Sequence, residues 1–239
     1  MCDVDAQRYP GSDGADVGRV LGIDAAGTHG WVGIVLDVGG FVSVRTGSLR
    51  ELIDWAEPVA LIGIDIPIGH VPAGSRRADV EARRFVGPRG SSVFGAPRLE
   101  ALASGSYRSA NDDLKAAGAP KMSRQAWALL PKMAEAADVA AHDHRVFEVH
   151  PEVSFCALGG EHLQWPKKSW NGLNERRRLL VDAGIDLPEQ MADLGSVVAD
   201  DVVDAAVVAW SARRIAAGTA RTLPDPPEEH GGRKIAIWY

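Results

Sequence analysis

Two apolar runs in this chain close on an aspartate: Arg19-Val20-Leu21-Gly22-Ile23-Asp24 and Val59-Ala60-Leu61-Ile62-Gly63-Ile64-Asp65-Ile66. Runs of this length read as strands covered on both faces, the pattern of parallel strands inside an α/β domain. An acid attached to such a strand is costly to bury, so it belongs at the carboxyl end of the sheet, paired or bound to a cation. A third run, Arg145-Val146-Phe147-Glu148-Val149-His150, carries Glu148 in the same way.

The segments between these runs fill in an α/β order. After the first strand, Ala25-Ala26-Gly27-Thr28-His29-Gly30 is a small-residue turn, residues 31–36 form a second strand, and Gly39-Gly40 turns into a third at 41–44. This predicts a three-stranded antiparallel meander. Ser48 caps a helix over 49–56 that places Leu49, Leu52, Ile53 and Ala56 on one face, and Pro58 stops it. Residues 70 to about 143 read as a mainly helical insertion, with helices near 75–86 and 124–141, the second kinked or reset at Pro131. Pro151 opens a helix over 152–158, Gly184 closes another over 171–183, and a last long helix covers about 196–217. An acidic, proline-rich loop at 224–229 follows, and Ile235-Ala236-Ile237-Trp238-Tyr239 is apolar enough to dock on the body.

At 239 residues, one α/β domain over 19–239 with an insertion accounts for the chain, behind a flexible polar tail at 1–18. With 46% hydrophobic and 24% charged residues, the composition is that of a globular protein and excludes the disordered class. No apolar run approaches the roughly 18–20 residues that span a bilayer, and the start lacks a signal peptide's apolar stretch, so the expectation is a cytoplasmic protein with no membrane partner. Cys2 and Cys156 have no metal-ligand spacing and are not expected to form a structural disulfide. The net charge of −6 excludes indiscriminate polyanion binding. A local basic patch remains open, because ten Lys and Arg stand against five Asp and Glu between His70 and Arg124.

Asp24, Asp65 and Glu148 are joined by Asp200, Asp201 and Asp204 of the last helix, where Asp204 shares a face with one or both of the others. Carboxylates brought within a few ångströms raise one another's pKa unless a cation neutralises them. Their hard oxygens suit Mg²⁺ or Mn²⁺ rather than zinc. Two such ions roughly 3.5–4 Å apart can activate water and steady the leaving oxygen of a phosphodiester. The expected ligands and catalytic residues are Asp24, Asp65, Glu148, Asp201 and Asp204. Each acid alone has a plainer explanation as a turn former, cap or ion-pair partner; Asp24, for one, could close an Asx-turn.

The strand-hairpin-strand-helix-strand order, with Gly22-Ile23-Asp24 first and Asp201-Val202-Val203-Asp204-Ala205 in the last helix, resembles the ribonuclease H-like superfamily and its Holliday-junction resolvases. Together with Gly63-Ile64-Asp65-Ile66-Pro67-Ile68-Gly69 and Phe147-Glu148-Val149-His150-Pro151-Glu152, the chain is similar to a bacterial family of unknown function whose members are described as predicted nucleases. The resemblance implies a ribonuclease H-like mixed sheet flanked by helices, with Asp24 as the first-strand acid, Asp65 as the fourth-strand acid and Asp201 and Asp204 as the last-helix acids. Glu148 departs from the ribonuclease H pattern, whose first-helix acid has only Glu51 and Asp54 as counterparts here, and would stand in as a ligand.

A nucleic-acid or nucleotide substrate would meet the basic insertion. Arg76, Arg77, Arg83 and Arg84 fall on one helical stripe, which reads either as a phosphate grip or, with Asp79 and Glu81 among them, as an internally paired solvated face. Arg89, in the glycine-rich segment 87–95, and the pair Lys167 and Lys168 complete the candidate substrate residues. His142, His144 and His150 form no zinc motif, while His150 and Glu152 stand close enough in sequence to the acids to assist proton transfer. Two other classes fit the same pattern: an ATP-dependent phosphotransferase of the actin and sugar-kinase type, for which Asp24-Ala25-Ala26-Gly27-Thr28 would be the phosphate turn, and a non-catalytic binding module whose acids serve as salt bridges.

Overall fold

A computed structural model describes residues 18–27, 30–71, 74–191, 194–195 and 197–239. The expected tail with Cys2, the Thr28-His29 part of the first turn and Ser196 at the start of the last helix lie outside the described residues.

Strands β1 (Val20–Ala25), β2 (Trp31–Asp37) and β3 (Gly40–Gly47) form the expected antiparallel meander. Helix α1 (Leu49–Ala56) follows, its Ser48 and Glu51 closing a reciprocal capping box. It leads into β4 (Leu61–Ile64), which pairs parallel to β1, and β5 (Val146–Glu148) adds parallel to β4. The result is a mixed five-stranded sheet in the order β3-β2-β1-β4-β5, flanked by helices.

Side chains alternate across this sheet into two cores. Leu21, Ile23, Ile62 and Ile64 point to one face, under α1 and α4 (Arg124–His142), while Val20, Val32, Ile34 and Leu61 point to the other, under α5 (Pro151–Gly159), α6 (Trp170–Asp182) and α7 (Ala199–Ala216). Each such side chain contributes roughly 1.5–3 kcal/mol on burial. The second face has one special feature. Gly22 and Gly63 are register partners on β1 and β4, and a Cβ at Gly22 would overlap the backbone of Ala205 and Ala209, while one at Gly63 would stand 2.9 Å from Val208. Helix α7 therefore seats directly on the sheet backbone over these glycines, and the alanines Ala205, Ala206, Ala209 and Ala212 permit that approach. Their small size fixes where Asp204 falls.

Between β4 and β5 the chain forms α2 (Arg77–Phe85), three-ten turns over Gly87–Ser92 and Leu99–Ser104, α3 (Tyr107–Ala116) and α4. Helix α4 runs through Pro131 as a single element and is not reset there. Pro131 lies on the exposed side, and Ala126, Leu130, Met133, Ala136 and Ala140 keep a continuous buried face.

The acidic proline-rich segment is not a loop. It belongs to β6 (Thr222–His230), which pairs antiparallel with β7 (Arg233–Trp238). The pairing is interrupted between Leu223 and Glu228, because Pro224, Pro226 and Pro227 have no N–H to donate, and a separate two-stranded sheet tolerates that loss. The chain end docks as expected: Ile237 and Tyr239 pack with Ala78, Ala82 and Val153, and Trp238 bridges to Val149 beside β5. No helix among the described residues is long and apolar enough to cross a membrane.

Candidate carboxylate site

Parallel pairing of β1 and β4 aligns Ile23 with Ile64, so the next residues, Asp24 and Asp65, emerge side by side. The Asp65 N–H donates to the Ile23 carbonyl at 2.8 Å and holds this register past the end of β4. Helix α7, seated on Gly22 and Gly63, brings Asp204 over the same strand ends. Asp24 is 5% exposed and Asp204 1% exposed, with Asp65 partly buried between them. All three line one cavity of about 570 Å³, together with Asp200, Asp201, Glu148, His150, Glu152, Lys167 and Lys168.

The electrostatics of the trio are unbalanced. Burial, reinforced by the neighbouring charges of Asp65 and Asp204, pushes the Asp24 carboxyl well above its ordinary range, Lys167 opposes this, and a hydrogen bond with Asp65 favours the protonated form. Burial likewise pushes Asp204 up to about 6, against the pull of Lys167. The Lys167 ammonium donates to Asp204 Oδ2 at 2.5 Å and stands 3.7 Å from Asp200 Oδ2. Asp204 Oδ1 is buried without a hydrogen-bond partner. A buried carboxylate oxygen with no donor is costly and marks a place where a cation or a water's proton would be stabilised. Asp201, at the rim, is raised by burial and by Asp200.

Family comparison adds one finding. Residues 22–229 match the family model described as protein of unknown function (DUF429). The chain belongs to this family. No match was found among curated proteins or among solved structures. Asp24, Asp65, Lys167 and Asp204 all lie inside the part of the DUF429 chain that the family model covers.

Glu148 lines the cavity but is spent elsewhere. Its Oε2 accepts from the Ile68 N–H at 2.8 Å and from Arg76 Nη1 at 2.9 Å, and its Oε1 accepts from Arg76 Nη2 at 2.5 Å. Arg76 also donates to Asp79 Oδ1 at 2.6 Å and to the Gly69 carbonyl at 2.8 Å, and Asp79 Oδ2 accepts from the Ala96 N–H. Burial opposes the guanidinium's charge, yet Glu148 and Asp79 hold its pKa above the ordinary range. The two residues expected as a ligand and a phosphate contact thus pair with one another, although burial outweighs Arg76 and raises the Glu148 pKa. Glu152 is bound to the buried Arg176 at 2.7 Å, with Arg89 4.0 Å away.

The other basic candidates separate in space. Lys167 and Lys168 line the cavity, whereas Arg77, Arg83, Arg84 and Arg89 do not. Arg77 is exposed and pairs with Glu81 at 3.0 Å; Arg83 donates to the Val93 carbonyl at 2.7 Å and Arg89 to the Gln164 carbonyl at 2.7 Å; Arg84 is exposed. The predicted stripe is broken because Arg76 precedes α2 and turns inward while the others stay at the surface. His150 lines the cavity with a buried, unpartnered Nδ1. Ser91 and Ser92 of the glycine-rich segment also reach it.

Two contributors escaped the sequence reading. Lys132, on α4, donates to the Gly30 carbonyl, lies 4.8 Å over the Trp31 ring and feels Asp24 and Asp201, though burial lowers its pKa. Arg176 is buried on α6. Nothing in their flanking sequences separates them from the exposed lysines and arginines of other amphipathic helices.

Among the described residues no group of three or more His, Cys, Asp and Glu side chains is arranged as a ready cation cage. The donor chemistry fits a hard divalent ion nonetheless: Asp24, Asp65 and Asp204 supply only carboxylate oxygens, one of them without a partner.

Proposed function

We propose that this chain is a divalent-metal-dependent phosphodiester hydrolase acting on nucleic acid or nucleotides, built on a ribonuclease H-like sheet. The carrying observation is the meeting of Asp24, Asp65 and Asp204, remote in sequence, in one cavity where burial and mutual repulsion keep Asp24 and Asp204 from ionising freely. The sheet order, with acids near the end of β1, just past β4 and on the last helix, fits the resemblance drawn from the sequence.

Asp24, Asp65 and Asp204 would hold Mg²⁺ or Mn²⁺, with Asp201 at the rim, and the ion would polarise the phosphoryl group and lower the pKa of a bound water. The protein's own groups have separable tasks. Lys167 orients Asp204 by its 2.5 Å contact. Lys168, exposed at the cavity wall, would meet a phosphate oxygen. His150 can accept or return a proton through a ring nitrogen that no protein group occupies. Trp165 and Trp170 flank the two lysines in sequence and are 40% and 78% exposed, as suits stacking with bases.

The test is a panel of labelled single-stranded, duplex, hybrid and junction substrates with Mn²⁺, run on wild type, Asp24→Asn and Asp65→Asn. Hydrolysis is expected from wild type and a loss of about 100-fold or more in each variant. Full activity in folded variants would overturn the mechanism.

A further inference from the structure

We propose that Lys167 takes the place of a second metal ion, so that the carboxylate site accepts one divalent cation per chain rather than two. This rests on the hydrolase reading above and fixes its metal count. In a two-ion site a shared carboxylate gives one oxygen to each cation. Asp204 is already half-used in that manner: Oδ2 is on the Lys167 ammonium at 2.5 Å, while Oδ1 is buried with no partner. The same ammonium reaches Asp200 Oδ2 at 3.7 Å and has Asp24 and Asp65 among the charges that stabilise it. It therefore lies among the acids a second ion would need.

Charge balance leads to the same count. The acids at this end of the cavity are Asp24, Asp65, Asp200, Asp201 and Asp204, and the ammonium groups acting on them are Lys132, Lys167 and Lys168. Five carboxylates against three lysines leave a deficit of two charges, which one divalent ion fills. A second would overcharge a largely buried site and would face the Lys167 ammonium directly, and like charges at such range in poorly screened surroundings repel strongly. The nearby acids Glu148, Asp79 and Glu152 change nothing here, because three guanidinium groups face these three carboxylates: Arg76 holds Glu148 and Asp79, while Arg176 at 2.7 Å and Arg89 at 4.0 Å face Glu152.

The experiment is a Mn²⁺ titration of the full chain, counting bound ions by calorimetry and by loss of the free Mn²⁺ paramagnetic resonance signal. Wild type is expected to bind one Mn²⁺, Lys167→Arg one, and Lys167→Met, similar in length but uncharged, two. Two ions on wild type would overturn the inference whether or not any variant folds. One ion on Lys167→Met, or two on Lys167→Arg, would also overturn it while leaving the hydrolase reading intact. No Mn²⁺ uptake by any of the three would remove the metal-dependent reading itself, and this inference with it.

Discussion

Around Arg76, two acids and a guanidinium complete one another: every oxygen of Glu148 and Asp79 has a donor at 3.1 Å or closer, and the arginine's remaining hydrogen-bonding capacity reaches the Gly69 carbonyl. In the same cavity, Asp24, Asp65 and Asp204 share a single lysine contact, and one oxygen of Asp204 has no donor. Both groups are buried acids at or beyond strand ends or on a helix, and composition alone does not tell them apart. What separates them is how fully their oxygens are supplied with donors. The first group ties α2 and the loop after β4 to β5. The second lacks that completion, so that its carboxyl groups ionise only against burial and mutual repulsion, and on the proposed function a cation would relieve this.

The contrast predicts opposite responses to removing charge. Arg76→Met should destabilise the fold by about 3–5 kcal/mol, because it strands Glu148 and Asp79 in a buried setting, and urea unfolding would measure it. Asp24→Asn should act the other way in chelator, stabilising by on the order of 1–3 kcal/mol as repulsion with Asp65 and Asp204 is relieved. Equal losses in the two variants would erase the distinction.

Acid should sharpen it. Asp204 is raised to about 6 and Asp24 is raised as well, while in the unfolded chain both titrate near the ordinary value of about 4. Below about pH 4 both are protonated in either state, and the contribution of these raised groups to stability is fully present. As pH climbs from there through about 6, the folded state must release protons that it holds more tightly than the unfolded chain does, so that contribution is lost. Metal-free wild type should therefore show this loss across the window, and Asp24→Asn should show less of it. The smallest effect belongs to the surface: Arg77→Ala and Arg84→Ala should each shift stability by no more than about 0.5 kcal/mol and leave Mn²⁺ binding unchanged.

The sequence made part of this legible. Asp24 and Asp65 stood out because apolar strands rarely carry an acid, and Asp204 because a mostly apolar helix carried it one turn beyond Asp200. Glu148 carried the same signal as Asp24 but has another role, since its partner lies 72 residues upstream and periodicity carries no information about which distant side chains meet. Gly22 and Gly63 stood in the sequence simply as members of the two apolar runs, and their use as the seat of α7 emerges only when β1 and β4 stand in register. The proline-rich segment 224–229 read as a loop because proline lowers strand propensity, whereas a separate hairpin accommodates prolines between paired ends.

Thermal unfolding of wild type and Asp24→Asn with and without Mn²⁺ addresses the central claim most directly, since a ligand bound only by the folded state raises its melting temperature by mass action. At about a hundred times the dissociation constant the account predicts a rise of about 5–10 °C for wild type and little or none for Asp24→Asn. An unchanged melting temperature in wild type, or an equal rise in both proteins, would contradict it.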